Sequence, residues 1–197
     1  MSNWKSVFNQ KIEIRQKILR WRNSLSSSEI QEKSGLIQRR LIEFTEYNSA
    51  YTVGLYYPIG SEVRTEDVIN NALQNGKIVG LPKLSDHSDP EICFHKLSAS
   101  RIDPKDLTHG RFGTKEPVSG LNLNQLDLTI LPGIVFDKNG YRLGYGKGFY
   151  DRFLSKKKCA FSAGLAFEIQ VVSEELPHSN LDQKIDALVT EKGIMRF

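Results

Sequence analysis

Three glycines at alternate positions, Gly144, Gly146 and Gly148, lie within "RLGYGKGFYDR" (142–152), with Arg142 and Lys147 as cations and Asp151 as a carboxylate. Glycines let successive backbone N–H groups turn toward one anion with no Cβ in the way. Arg142 and Lys147 supply charge suited to phosphate oxygens. A helix starting just after the glycines would add free N–H donors and its dipole, and a carboxylate such as Asp151 is tolerated in a first turn. The loop is not a Walker A motif, because no Ser or Thr follows Gly146-Lys147, and its glycine spacing is not that of a dinucleotide-binding fingerprint. It reads either as a phosphate cradle or as a flexible turn, and the spacing alone leaves both open.

The first helical stretch, residues 4–23, holds a second set of cations. At about 100° per residue, Val7, Ile14, Ile18 and Trp21 fall on one side and Phe8, Ile12 and Leu19 on another. Lys11, Arg15 and Arg22 lie between them. Cations that divide an apolar arc either run their stems along the core edge and keep their heads in water, or point at an anion.

The elements that must position these groups follow a β–α–β rhythm. "SSSE" (26–29) is a capping box opening a helix to about Tyr47. "AYTVGLYYP" (50–58) reads as a buried strand ended by proline, Thr65 as the cap of a helix through Leu73, and "KIVGLP" (77–82) as the next strand. "SDHSDP" (85–90) reads as a turn, "EICFHKL" (91–97) as a short strand and 98–125 as irregular. "LDLTILPGIVFD" (126–137) is the strongest central strand, a helix is expected from about Gly148 to Lys157, and 159–167 and 186–197 supply the last strands. This predicts one α/β domain, layered α/β/α, with a mostly parallel sheet.

Composition bounds the function. The chain has 197 residues, 39% hydrophobic and 25% charged, with a net charge of +4, the balance of a globular protein with a mild basic excess. Clustered basic and aromatic residues on one strand face, the mark of a nucleic-acid module, are not found. Cys93 and Cys159 sit in separate apolar stretches without metal spacing, and the four histidines show no ligand pattern. The N-terminal stretch has no apolar run and no stretch approaches membrane-spanning length. The expectation is a cytoplasmic monomer acting on small molecules, not on nucleic acid or membrane.

"LPGIVFDKNGYRLGYGKGFYDRF" (131–153) resembles the signature of the 5-formyltetrahydrofolate cyclo-ligase family, R-L-G-x-G-x-G-[YF]-Y-D after a strand ending in P-G-x-x-F-D. "KIEIR" (11–15), "YYPIGSEVRTEDVI" from Tyr56, "KIVGLPKL", "RFGTKEP" (111–117) and "QKIDALVT" (183–190) resemble further family segments in the same order. Thr114 stands where the family usually has an apolar residue, and Phe149 where Tyr is commoner. The resemblance implies a transferase-like layered α/β fold and an ATP- and Mg²⁺-dependent cyclisation of 5-formyltetrahydrofolate to 5,10-methenyltetrahydrofolate through a phosphorylated formyl group. By position it implies that Lys11 and Arg15 contact ATP phosphates and that Arg142, Leu143, Gly144, Tyr145, Gly146, Lys147, Gly148, Phe149 and Tyr150 form the nucleotide loop. Lys147, with Arg142, would carry the catalytic charge. Asp151 and Asp186 would ligate Mg²⁺. Tyr57 and Glu62 would bind the folate, with Tyr145, Phe149 and a stacking Phe112 beside it. The competing reading is a nucleotide-binding protein of the same fold that acts on another substrate or is not catalytic.

Overall fold

The computed structural model describes residues 3–85 and 91–197. In chain order it comprises α1 (Asn3–Asn23), α2 (Ser27–Glu43), α3 (Thr45–Ser49), β1 (Thr52–Gly54), α4 (Glu66–Gln74), β2 (Ile78–Leu84) and β3 (Ile92–Lys96). There follow β4 (Leu107–His109), β5 (Lys115–Pro117), β6 (Asn122–Leu123), β7 (Leu126–Leu131), β8 (Val135–Phe136), β9 (Arg142–Leu143), α5 (Phe149–Ser155), β10 (Cys159–Leu165), β11 (Ala187–Val189) and β12 (Ile194–Arg196). Apart from Ser85, the turn expected at 85–90 lies outside the described residues, as does His87.

One eight-stranded sheet runs β12-β11-β10-β7-β1-β2-β3-β6. Its five central strands are mutually parallel, and β12, β3 and β6 pair antiparallel at the edges. The strands alternate their side chains between two covered faces. Ala187 and Val189 join the cluster beneath α2 and α4, with Ile37, Leu41, Val68 and Ile69, while Leu188 joins the opposite cluster beside Tyr150 and Leu154 of α5. The layered α/β/α expectation therefore holds.

Several expected boundaries move. The capping box forms: Ser26 Oγ accepts from Glu29 N at 3.2 Å, and Ser26 N donates to Glu29 Oε2 at 2.8 Å. The helix it opens breaks at Phe44, which is extended and buried, its ring edge-on to Phe161. Thr65 does not cap α4; its hydroxyl donates to Tyr56 O at 2.7 Å, tying the start of the helix to the chain leaving β1. The long apolar run 126–137 is two strands. Pro132 cannot donate to a ladder, and after it the chain folds into the β8–β9 hairpin, where Phe136 registers with Arg142. Gly133 closes that corner tightly, since a Cβ there would lie 2.4 Å from the Phe136 ring. The stretch 98–125, expected to be irregular, contains the β4–β5 hairpin and the edge strand β6.

Candidate active site

A cavity of about 480 Å³ opens at the carboxyl ends of the central parallel strands, where open α/β sheets bind their ligands. The chain leaving β1 contributes Tyr57 and Glu62, that leaving β7 contributes Pro132 and Gly133, and the loop from β9 to α5 contributes residues 142–151. Phe8, Lys11 and Arg15 of α1, the β4–β5 hairpin and Asp182 complete the wall. Every sequence-predicted site residue lines this cavity except Asp186.

Asp186 is a correction. It stands immediately before β11, at the amino end of a parallel strand, and its Oδ2 accepts from Ser162 N at 2.8 Å and Ser162 Oγ at 2.7 Å. That carboxylate staples two strands. Asp182, four residues earlier, reaches the cavity instead, and Lys11 Nζ donates to both of its oxygens, at 2.8 and 2.7 Å. Burial pushes the Asp182 carboxyl up, but hydrogen bonds from Lys11 and Ser179 together outweigh it and hold it below the usual range.

The cations of α1 separate by role. Arg15 Nε donates to Gly144 O at 2.7 Å, and its guanidinium lies under Gly146, where a Cβ would be 3.7 Å from it. Burial lowers the Arg15 pKa, opposed by Asp182 and Asp151. Arg22 does not face the cavity. It is 2% exposed and donates to Ser61 Oγ (3.0 Å), Gly133 O (3.2 Å) and Tyr145 Oη (3.0 Å). The partners of this buried cation are neutral oxygens of three wall segments. Gln170 donates to the same Gly133 carbonyl at 2.9 Å and to Ile134 O at 3.0 Å, fixing the corner after β7. Arg22 was visible in the helical pattern as a cation inside an apolar arc, while no local signal marks Gln170 or Asp182.

Within the loop, Gly146 and Gly148 have φ of 90° and 65°, a backbone that favours glycine. Gly144 has no such φ, and a Cβ built on it meets nothing within 4 Å. The folded chain itself does not require glycine there. Gly148 opens α5. Arg142 is 5% exposed and donates to Gln183 O at 2.8 Å, with Asp151 at 3.2 Å. Burial lowers its pKa, and Asp151 opposes that shift. Arg142 thus braces the loop against the chain before β11. Lys147 is exposed, with Nζ 5.2 Å above the Phe112 ring, and Phe112 lies 5.9 Å from the Phe149 ring. Phe112 takes φ 62°, unusual for an aromatic residue, and is 59% exposed on the cavity rim.

Across the cavity, Glu62 is buried, with Oε2 accepting from Ile59 N at 3.0 Å. Burial pushes its carboxyl up, against the Ile59 hydrogen bond and the nearby Arg22 and Arg64. Burial also raises the hydroxyls of Tyr57 and Tyr150.

Among the described residues no group of three or more His, Cys, Asp or Glu is placed to hold a metal ion. Two carboxylates, Asp151 and Asp182, do line the cavity beside the glycine loop. That is the donor set of a Mg²⁺ held by one or two carboxylates plus phosphate oxygens and waters, not of an all-protein cage. Among the described residues no helix is long and apolar enough to cross a membrane.

A "probable 5-formyltetrahydrofolate cyclo-ligase" of Schizosaccharomyces pombe is 32% identical over 187 residues, covering 85% of this chain and 88% of the relative. The 5-formyltetrahydrofolate cyclo-ligase of Escherichia coli K12 is 31% identical over 182 residues, covering 89% and 97%. The solution structure of Aquifex aeolicus 5,10-methenyltetrahydrofolate synthetase superimposes with a TM-score of 0.80 at 36% identity, covering 94% of this chain and 92% of that one. The sequence model of the 5-formyltetrahydrofolate cyclo-ligase family matches residues 7–191, and the chain belongs to that family.

Proposed function

We propose that the protein converts 5-formyltetrahydrofolate to 5,10-methenyltetrahydrofolate, consuming ATP in the presence of Mg²⁺ and releasing ADP and phosphate. The observation that carries this reading is the pairing, in one cavity, of a cationic glycine loop with a buried carboxylate and an aromatic rim. ATP alone has no use for the second half.

The formyl oxygen is a poor leaving group. Transfer of the γ-phosphoryl group to it makes an iminium phosphate, which the neighbouring 10-nitrogen attacks before phosphate departs. The work of the chain is to align two substrates and to neutralise the moving group. In this reading Lys11 and Arg15 hold the nucleotide phosphates and the N–H groups of the glycine loop cradle them. The close approach of a phosphate explains glycine at 144, where nothing in the fold demands it. Lys147, free to reach from the rim, stabilises the transferred phosphoryl group and the formyl oxygen, and Arg142 keeps the loop in register. Glu62 accepts from the pterin N–H groups, with Tyr57, Tyr145, Phe149 and Phe112 packing on the rings. Asp151 and Asp182 would hold Mg²⁺, whose part is to neutralise phosphate charge.

The test is to mix protein, ATP, Mg²⁺ and 5-formyltetrahydrofolate and follow the near-UV absorbance of the methenyl product, with Lys147→Ala alongside. Product should require ATP and fall by about 10²-fold or more in the variant. ATP binding that depends on Lys11 and Arg15, without product, would instead favour a nucleotide-binding protein with another substrate.

A further inference from the structure

Four carboxylates line the cavity among the described residues: Glu62, Glu116, Asp151 and Asp182. Asp151 faces Arg142, Asp182 faces Lys11, and Glu62 accepts a backbone N–H. Glu116 is different. It is 6% exposed and makes no ion pair among the described residues. Its hydrogen bond is from Thr114 Oγ1, 3.1 Å from Oε1, and the same hydroxyl lies 2.8 Å from Arg111 O. A hydroxyl has one proton to donate, so among the described residues Glu116 receives at most a share of one donor, while an ionised carboxylate can accept about four hydrogen bonds. Its other oxygen is not sealed inside the protein, so a group in the cavity can reach it.

Its position is built. A Cβ on Gly110 would lie 2.1 Å from Glu116 Oε1, so the carboxyl rests on a bare Cα across the hairpin. The hairpin faces the glycine loop: Phe112, two residues before Thr114, carries Lys147 Nζ 5.2 Å above its ring. Glu116 is thus an under-satisfied acceptor on the wall that also carries the proposed ring-stacking residue.

Resting on the cyclo-ligase reading, we propose that Glu116 accepts the proton lost by the 10-nitrogen of the folate during ring closure. The nitrogen lone pair forms the new bond to the formyl carbon, the N–H proton passes to the Glu116 carboxylate, and phosphate leaves with the C–O bonding pair. The proton is then released to solvent. Positioned acid–base groups of this kind contribute about 10²–10⁴-fold.

The experiment is rapid-quench analysis of Glu116→Gln, which keeps the size of the side chain and an oxygen for Thr114. ADP should form in a burst equal to the enzyme at the wild-type rate, while methenyl product slows by about 10²-fold or more. Methenyl formation within about threefold of wild type, or equal slowing of ADP and methenyl product, overturns the assignment; the latter is what a mere brace of the hairpin would give. Glu116→Asp, which retracts the carboxylate by one methylene, should show the same split in milder form, so the test survives if the glutamine variant misfolds. Equal slowing of both products there also overturns it. Wild-type protein that forms no methenyl product would sink the cyclo-ligase reading itself, a result distinct from an unaffected Glu116→Gln.

Discussion

Glu62 is a carboxylate that the fold holds at a cost. Because burial raises its pKa, the folded chain binds this proton more tightly than the unfolded chain. Its stability contribution is fully present below the ordinary carboxylate value and is lost as pH rises through the raised value. Glu62→Gln keeps an oxygen for Ile59 N and removes the buried charge. It should therefore raise the melting temperature at neutral pH, with the gain closing in acid, while the KM for 5-formyltetrahydrofolate rises by about tenfold or more through the lost charged acceptor. Thermal melts across pH and steady-state kinetics read the two effects separately. A loss of stability at neutral pH would contradict the burial argument. Gly144 gives the complementary case. Gly144→Ala should melt like the wild type, because its Cβ enters open space, but should bind ATP more weakly if phosphate approaches that backbone; ATP titration checks it.

At the scale of elements, Arg22 fastens α1 to three other segments of the wall. Arg22→Met should destabilise by about 2–5 kcal/mol, since it strips a charged donor from three partners. Tyr145→Phe should cost less, because Tyr145 is 54% exposed. In a double-mutant cycle by denaturant unfolding the pair should be coupled by at least about 0.5 kcal/mol. The elements themselves were largely legible in the sequence. The α2 start follows from Ser26 and Glu29, whose capping box needs only local chemistry, and the apolar runs give β1, β2 and β7. What could not be read depends on distant partners. Nothing near Phe44 announces a helix break that serves its packing on Phe161. Thr65 looks like a cap, yet its hydroxyl is taken by Tyr56 O. Asp186 and Asp182 are both plausible ligands by type, and only the pairing of β11 with β10 sends one to Ser162 and the other to Lys11. The glycine loop was legible because its geometry is carried by contiguous backbone, whereas Gln170 acts through contacts that no local pattern encodes.

At the scale of the whole molecule, the cavity is a meeting point of segments from residue 8 to residue 182, so ligands that fill it should stabilise the entire fold. A ligand bound only to the folded state adds about 2.7 kcal/mol at one hundred times its Kd, and for a chain of this size each kcal/mol moves the midpoint by about 2–4 °C. Saturating ATP with Mg²⁺ should then raise the melting temperature by about 5–10 °C, and 5-formyltetrahydrofolate should raise it independently. The two half-sites of the proposed reaction predict which variant removes which shift. Lys11→Ala and Arg15→Ala should shrink the nucleotide shift and leave that of the folate. Glu62→Gln should do the reverse. Lys11→Ala also leaves Asp182 facing the loop without its cation, so without Mg²⁺ the added negative field should weaken ATP binding beyond the loss of one phosphate contact, and Lys11→Ala combined with Asp182→Asn should recover part of that metal-free binding. If one variant abolished both shifts while the apo protein melted normally, the cavity would be a single-ligand site and the two-substrate reading would fail.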